Sequence, residues 1–221
     1  IPDVVTTDNP YTLTGLQPAT TYFVLLRARC GPVTGAWSNP LSFTTYLPNP
    51  TPCGIVVPIP DNSCGAANEF RIQVNSAPGS QLGQDVLLSG LRLIIDHSWM
   101  ADLEISLTSP SGTSVMLSSD NGGSGDNFGL PGDTSCIEFT YISSTDCNAL
   151  PIAEGTAPFL GAFLPEQDLQ ALYDGSSPLG LWTLTICDDA GDDTGSLRYA
   201  ELVFESRQCQ VPRNLQVLQV G

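Results

Sequence analysis

Leu103, Ile105 and Leu107 alternate with Glu104, Ser106 and Thr108, and Ser114 to Ser118 alternates in the same way after the link Ser109-Pro110-Ser111-Gly112. A period of two puts every apolar side chain on one face of an extended strand. Pro followed closely by Gly makes the link a tight turn. Such a pair leaves one apolar face that another layer must cover, so the pattern points to packed sheets rather than helices. Further strands are expected at Glu69 to Val74, at Leu91 to Ile95 and at Trp182 to Ile186, with Leu202-Val203-Phe204 starting the last one. One short helical turn is expected between Pro165 and Gly175, with Glu166 and Asp168 in its first turn and Leu169 and Leu172 on one face.

Composition agrees. Gly (21) and Pro (18) are abundant, which suits short strands joined by many turns. The net charge is −16, and all seven basic residues are Arg. Seven scattered Arg make no basic patch, so nucleic acid and anionic membranes are poor candidate partners, and no nucleic acid is expected among them. The absence of Lys excludes Schiff-base chemistry. No apolar run is long enough for membrane insertion. No signal peptide is visible at Ile1, so a secreted chain would have had it removed or would carry it further upstream.

Seven Cys stand at 30, 53, 64, 136, 147, 187 and 209, none in C-x-x-C spacing, and His97 is the only His. That pattern argues against a structural zinc site and for disulfides in an oxidising compartment, which places the protein outside the cell or on its surface. Cys136–Cys147 would close a short loop without strand patterning.

The chain separates into segments. Residues 1–47 run from Tyr11-Thr12-Leu13-Thr14-Gly15-Leu16 through Thr21-Tyr22-Phe23-Val24-Leu25-Leu26 to Trp37-Ser38 and Phe43-Thr44-Thr45. This order resembles the C-terminal half of a fibronectin type III domain, with Tyr22 where that family places its corner tyrosine. Half a sandwich leaves Leu13, Tyr22, Val24 and Leu26 without an opposing sheet. Residues 48–53 contain three Pro and read as a stiff linker. Residues 208–221, with Val211-Pro212-Arg213-Asn214-Leu215, resemble the start of another type III module.

Residues 54–207 carry a second resemblance. Ala101-Asp102-Leu103-Glu104-Ile105-Ser106-Leu107-Thr108-Ser109-Pro110-Ser111-Gly112-Thr113 is similar to a signature of the P domain of subtilisin-like proprotein convertases. So is Gly180-Leu181-Trp182-Thr183-Leu184-Thr185-Ile186-Cys187-Asp188-Asp189-Ala190-Gly191-Asp192-Asp193-Thr194-Gly195-Ser196-Leu197. Ile59-Pro60-Asp61 and Gly155-Thr156-Ala157-Pro158-Phe159 match in order. Two positions depart: Tyr199-Ala200 stands where the family has a Trp, and its acidic pair before Gly155 is reduced to Asp146 beside Cys147. The resemblance implies an all-β, jelly-roll β-sandwich with a partial type III-like sandwich at the N-terminus. It also implies no catalytic role for His97, which is expected to be structural and near Asp102. Bacterial type III arrays with a Cys-Gly after the long strand imply a Cys30–Cys53 disulfide.

Four carboxylates lie in the six residues from Asp188 to Asp193, around Gly191. Like charges so close are unfavourable unless a cation neutralises them, and calcium takes six to eight oxygens from such loops. Asp102, Asp188, Asp189 and Asp193 are therefore candidate calcium ligands. Asp also serves turns, and the two readings weigh equally. Gly122-Gly123-Ser124-Gly125-Asp126-Asn127 reads as a flexible loop, and Trp99 as a packed residue. No nucleophile motif surrounds any Ser. Two functions follow as expectations. One is a non-catalytic, adhesive or spacing module of a secreted or cell-surface multidomain protein, whose partners are its neighbouring domains and other extracellular proteins or surfaces. The other is the accessory region of a secreted subtilisin-like or metallo protease. A carbohydrate-binding module is a weaker third, since no row of exposed aromatics is visible.

Overall fold

The computed structural model describes residues 4–207. The type III-like start at 208–221, and Cys209 with it, lies outside the described residues. The chain forms two compact units, the first ending at Leu47 and the second starting at Pro48.

In the first unit, Thr21–Val24 pairs antiparallel with Leu41–Thr44, placing Tyr22 opposite Phe43 and Val24 opposite Leu41. Arg29–Cys30 pairs with Val33–Thr34 around Gly31, whose φ of 60° belongs to the left-handed region of a tight turn. Alternation accounts for the apolar face: Tyr22 and Phe43 stack with ring centroids 5.8 Å apart. The Tyr22 hydroxyl accepts the Gln17 N–H at 2.8 Å and so ties the corner before the strand to the strand itself. Arg27 lies 4.2 Å over the Trp37 ring, a cation–π contact between neighbouring segments. Leu26 (69 % exposed) and Leu41 (70 %) remain open to solvent.

The second unit is a β-sandwich. One sheet is ordered Ser114–Ser119, Leu103–Thr108, Gly180–Asp188, Glu69–Val74, and then Leu47–Pro48, where the chain enters. The other is ordered Leu150–Pro151, Gly161–Leu164, Thr140–Ile142, Val86–His97, Gly195–Ser206, Val57–Ile59, with parallel pairs on both sides of Gly161–Leu164. The alternating apolar residues of both sheets meet in a closed core that includes Ile72, Leu107, Ile186, Leu91, Leu93 and Leu197, all fully buried. Trp182 is enclosed as well. It packs edge-on against Phe204 at 5.8 Å, and its indole N–H donates to Pro178 O at 2.9 Å. Helical structure among the described residues is limited to short 3₁₀ turns. The one at Leu169–Leu172 is capped by Asp168, whose carboxylate accepts the Gln170 N–H, so the turn starts four residues after Pro165.

Two strands run longer than their apolar patterns. Val86–His97 continues through Ser89 and Gly90, because Ser89 is buried with its hydroxyl donating to Val203 O. A Cβ on Gly90 would meet the Tyr141 ring and Ile142 O at 2.7 Å or less. Gly195–Ser206 begins well before Leu202, and its polar members Arg198 and Glu201 face partly outward.

Residues 48–53 are not an open spacer. Thr51 N–H donates to Ala200 O, and Ala200 N–H donates back to the Thr51 hydroxyl at 2.9 Å. Asn49 brackets Leu202, donating to its carbonyl at 2.9 Å and accepting its N–H at 2.8 Å. The prolines leave few backbone donors to satisfy, and side-chain amide and hydroxyl groups supply the rest of the edge pairing.

The disulfides differ from both expected pairs. Cys53 joins Cys136 (Cα–Cα 5.8 Å) and Cys64 joins Cys187 (4.7 Å). The Asp133 carboxylate accepts from Ser135 N–H, Ile137 N–H and Glu138 N–H, folding the loop that carries Cys136. The strand Thr140–Ile142 then separates Cys136 from Cys147. Cys53, at the end of the docked 48–53 segment, is the thiol that Cys136 meets instead of Cys147, so Cys53 is not the partner of Cys30. Cys30 and Cys147 are exposed and unpaired among the described residues.

The loop at 122–127 is also not free. Gly123 O and Gly125 O accept the Ala101 and Met100 N–H groups at 3.0 Å, and Asn127 Oδ1 accepts the His97 N–H at 3.0 Å.

Candidate functional site

Antiparallel register builds one acidic end. Leu103–Thr108 pairs with Gly180–Asp188 so that Leu103 stands opposite Asp188 and Glu104 opposite Cys187. This sets Asp102, on the 3₁₀ turn before one strand, next to the end of the other. Asp189 N–H donates to Asp102 O at 3.0 Å and fixes that neighbourhood. A backbone bridge between Ser63 and Asp188, with the Cys64–Cys187 bond beside it, anchors the strand end from the other side. Asn68, fully buried, adds a bond from its Nδ2 to Ile186 O at 3.0 Å.

His97 sits inside this end, its side chain and that of Asp188 both fully enclosed. Its Nε2 lies 3.1 Å from Asp188 Oδ2. A carboxylate can only accept, so Nε2 carries the proton. Nδ1 is occupied by the Trp99 backbone, with the carbonyl at 2.9 Å and the N–H at 3.2 Å. The ring therefore touches Asp188 rather than Asp102, and Trp99 serves through its main chain while its side chain is exposed. Gly195, opposite His97 in the sheet, is required by this packing: a Cβ there would overlap the imidazole and come within 2.7 Å of Asp96 O. With both nitrogens taken and no path to solvent, His97 cannot act as a general base.

Asp188 is only half satisfied. Its Oδ2 faces His97, and its Oδ1 is buried without a hydrogen-bond partner. Asp102 is 9 % exposed. Burial, then the charges of Asp188 and Asp193, hold its carboxyl above the usual range, with His97 opposing them. Asp193 is positioned by Ser98, whose hydroxyl donates to its Oδ1 at 2.5 Å.

Of the four carboxylates singled out from sequence, Asp188, Asp193 and, more weakly, Asp189 act through their charge on Asp102, and the structure does not bring the four around one point. Asp189 turns to a different, more exposed group, where its oxygen, one from Glu104 and one from Asp120 lie within 4.8 Å of each other. Glu104 and Asp120 were not singled out from sequence. Their signal was register: Ser119 pairs with Glu104 in the strand-turn-strand unit, so the residue after Ser119 ends beside it. Elsewhere, a surface depression of about 350 Å³ is lined by Val56, Pro58, Asp96, Thr194, Gly195 and Ser196 and holds no imidazole or thiol.

A model of the proprotein convertase P-domain family matches residues 90–134, which supports a P domain across the strand-turn-strand unit and Asp102. No curated protein matches the chain. No helix among the described residues is long and apolar enough to cross a membrane.

Proposed function

We propose that this chain is a non-catalytic structural and interaction module of a secreted or cell-surface multidomain protein, adhesive or spacing in role. In it a P-domain-like sandwich at 54–207 stands between a partial type III-like unit at 1–47 and the start of another at 208–221. The observation that carries the reading is the position of His97. The only imidazole in the sequence is sealed between Asp188 and the Trp99 backbone, so it can serve no serine, thiol or water as a base. Two disulfides suit an oxidising compartment.

A second reading, the accessory region of a secreted subtilisin-like or metallo protease, is favoured by the family match at 90–134. In that case the sandwich would stabilise the catalytic domain or handle its substrate. An activity assay tests the shared premise. Purified chain incubated with casein and fluorogenic peptides should give no turnover above buffer. Turnover that His97→Gln abolishes would overturn the non-catalytic assignment. The coding sequence upstream separates the two readings: a Ser-His-Asp or His-Glu-x-x-His protease pattern there selects the second.

A further inference from the structure

We propose, on the spacing or adhesive reading above, that the second unit is a tension-bearing link: its entry and exit chains form a zipper closed by a disulfide, so that a pull between neighbouring domains bypasses the core. The chain enters the unit at Pro48, and its last described residue is Arg207. Between these points the two terminal segments run antiparallel, side by side. Asn49 brackets Leu202, and Thr51 brackets Ala200. Val57 then stands opposite Leu197, and Ile59 opposite Gly195. Ser63 and Asp188 exchange backbone hydrogen bonds, and the adjoining residues, Cys64 and Cys187, are covalently joined. The exit strand is backed on its other side by Val86–His97, so the entry segment is the one that peels first.

Antiparallel neighbours pulled from one end open pair by pair, because the load falls on the outermost bonds and is not shared along the ladder. Single hydrogen bonds, weak on balance against water, cannot hold such a zipper. A covalent bond at its closed end can. Cys64–Cys187 stands there and takes a separation of 123 residues out of the path of the load. Val86–His97, Leu103–Thr108 and nearly all of Gly180–Asp188 lie inside that loop and feel no pull. Cys53–Cys136 interleaves with this bridge in chain order and pins the entry segment midway. Peeling past Cys53 must therefore disturb the loop that the Asp133 carboxylate folds around Cys136. A bridge that served only to constrain the unfolded chain could join any two neighbouring strands. This one joins entry to exit at the foot of their shared ladder.

Force spectroscopy of the full chain, held by its two ends, tests the proposal. The first unit contributes the same length in every redox state, so the second is read from the change on reduction. The wild type should release only a short length. Dithiothreitol added to the same tether should lengthen that release by about 400–440 Å, since 123 residues extend by about 3.3–3.6 Å each. Cys64→Ser/Cys187→Ser should give an intermediate length, because Cys53–Cys136 still removes 83 residues; if this variant does not fold, reduction of the tethered wild type supplies the comparison. Cys53→Ser/Cys136→Ser should keep the wild-type length, since the shortest covalent path runs through Cys64–Cys187, and should lower the force of the first opening. Asn49→Ala, which removes the outermost pair, should lower that force too. A wild-type release as long as that of the reduced protein would overturn the proposal. So would a first opening force that neither Cys53→Ser/Cys136→Ser nor Asn49→Ala changes. A protease pattern upstream would remove the spacing reading without altering these curves, so the two failures are separable.

Discussion

The two units are written in the same alternating code and end in opposite states. In the first, Tyr22, Val24, Leu41 and Phe43 share one face of a two-stranded sheet, yet Leu41 stays exposed beside Leu26. In the second, Leu103, Ile105 and Leu107 occupy the same kind of face and are sealed, because a second sheet supplies Leu91, Leu93 and Leu197 above them. Alternation makes a strand; burial needs an opposing layer, and each buried branched side chain contributes about 1.5–3 kcal/mol only once that layer exists. The first unit is held mainly by local ties, Tyr22 to Gln17 and Arg27 to Trp37, while the second is held by a core and two long-range disulfides.

The largest expected effect is on the second unit's disulfides. Cys64–Cys187 closes a separation of 123 residues, and the chain-entropy account gives about 5 kcal/mol for a loop of that size. The double variant Cys64→Ser/Cys187→Ser should therefore lower the urea midpoint strongly, whereas Cys30→Ser should leave it unchanged. A large loss from Cys30→Ser would show that the exposed thiol has a partner. Next comes Trp182→Ala, expected to cost about 3–5 kcal/mol from lost transfer and a residual cavity. An effect below about 1 kcal/mol in the same melt would mean the core is looser than its burial implies.

Tyr22→Phe removes one hydrogen bond and should cost about 1 kcal/mol, read as faster amide exchange at Gln17 and Thr21. Global destabilisation by this change would mean the first unit contributes more than its open face suggests. The smallest effect is on pH. Asp133 and Asp174 are held at about 2 by hydrogen bonds, from the Ser135 hydroxyl and the Glu138 N–H in the first case and from Ser176 in the second. A depressed folded value gives stability that is present above the ordinary 3.8 and lost as pH falls toward 2. Asp102 acts oppositely: its raised value means that stability, in protein stripped of cations, falls as pH rises from 3.8 through its folded value. Melting temperature should thus pass through a maximum on the acid side of neutrality, and Asp133→Asn should soften the fall below pH 4. A curve that declines steadily from pH 7 would contradict the Asp102 contribution.

Much of the fold was legible because its signals are local. Glu69–Val74 and Leu103–Thr108 have the bounds that their alternation marks. The extra length of Val86–His97 was hidden because Ser89 and Gly90 interrupt the apolar run while fitting a crowded site. The disulfides were misread because partner choice depends on where residues 48–53 dock, which proline content does not reveal. Asp188 was visible as one of a charge run. That it alone would be buried against His97, 91 positions earlier, is a tertiary fact that no spacing records.

Native-state hydrogen exchange tests the central contrast most directly. Amides of Gly180–Asp188 that donate to the flanking strands should exchange only through global unfolding, and their opening energies should track urea stability. Amides of Thr21–Val24 paired with Leu41–Thr44 should open locally and exchange orders of magnitude faster. Equal protection in the two strands, falling together in Trp182→Ala, would contradict the account, because it would mean that the first unit's open face is part of the same cooperative core.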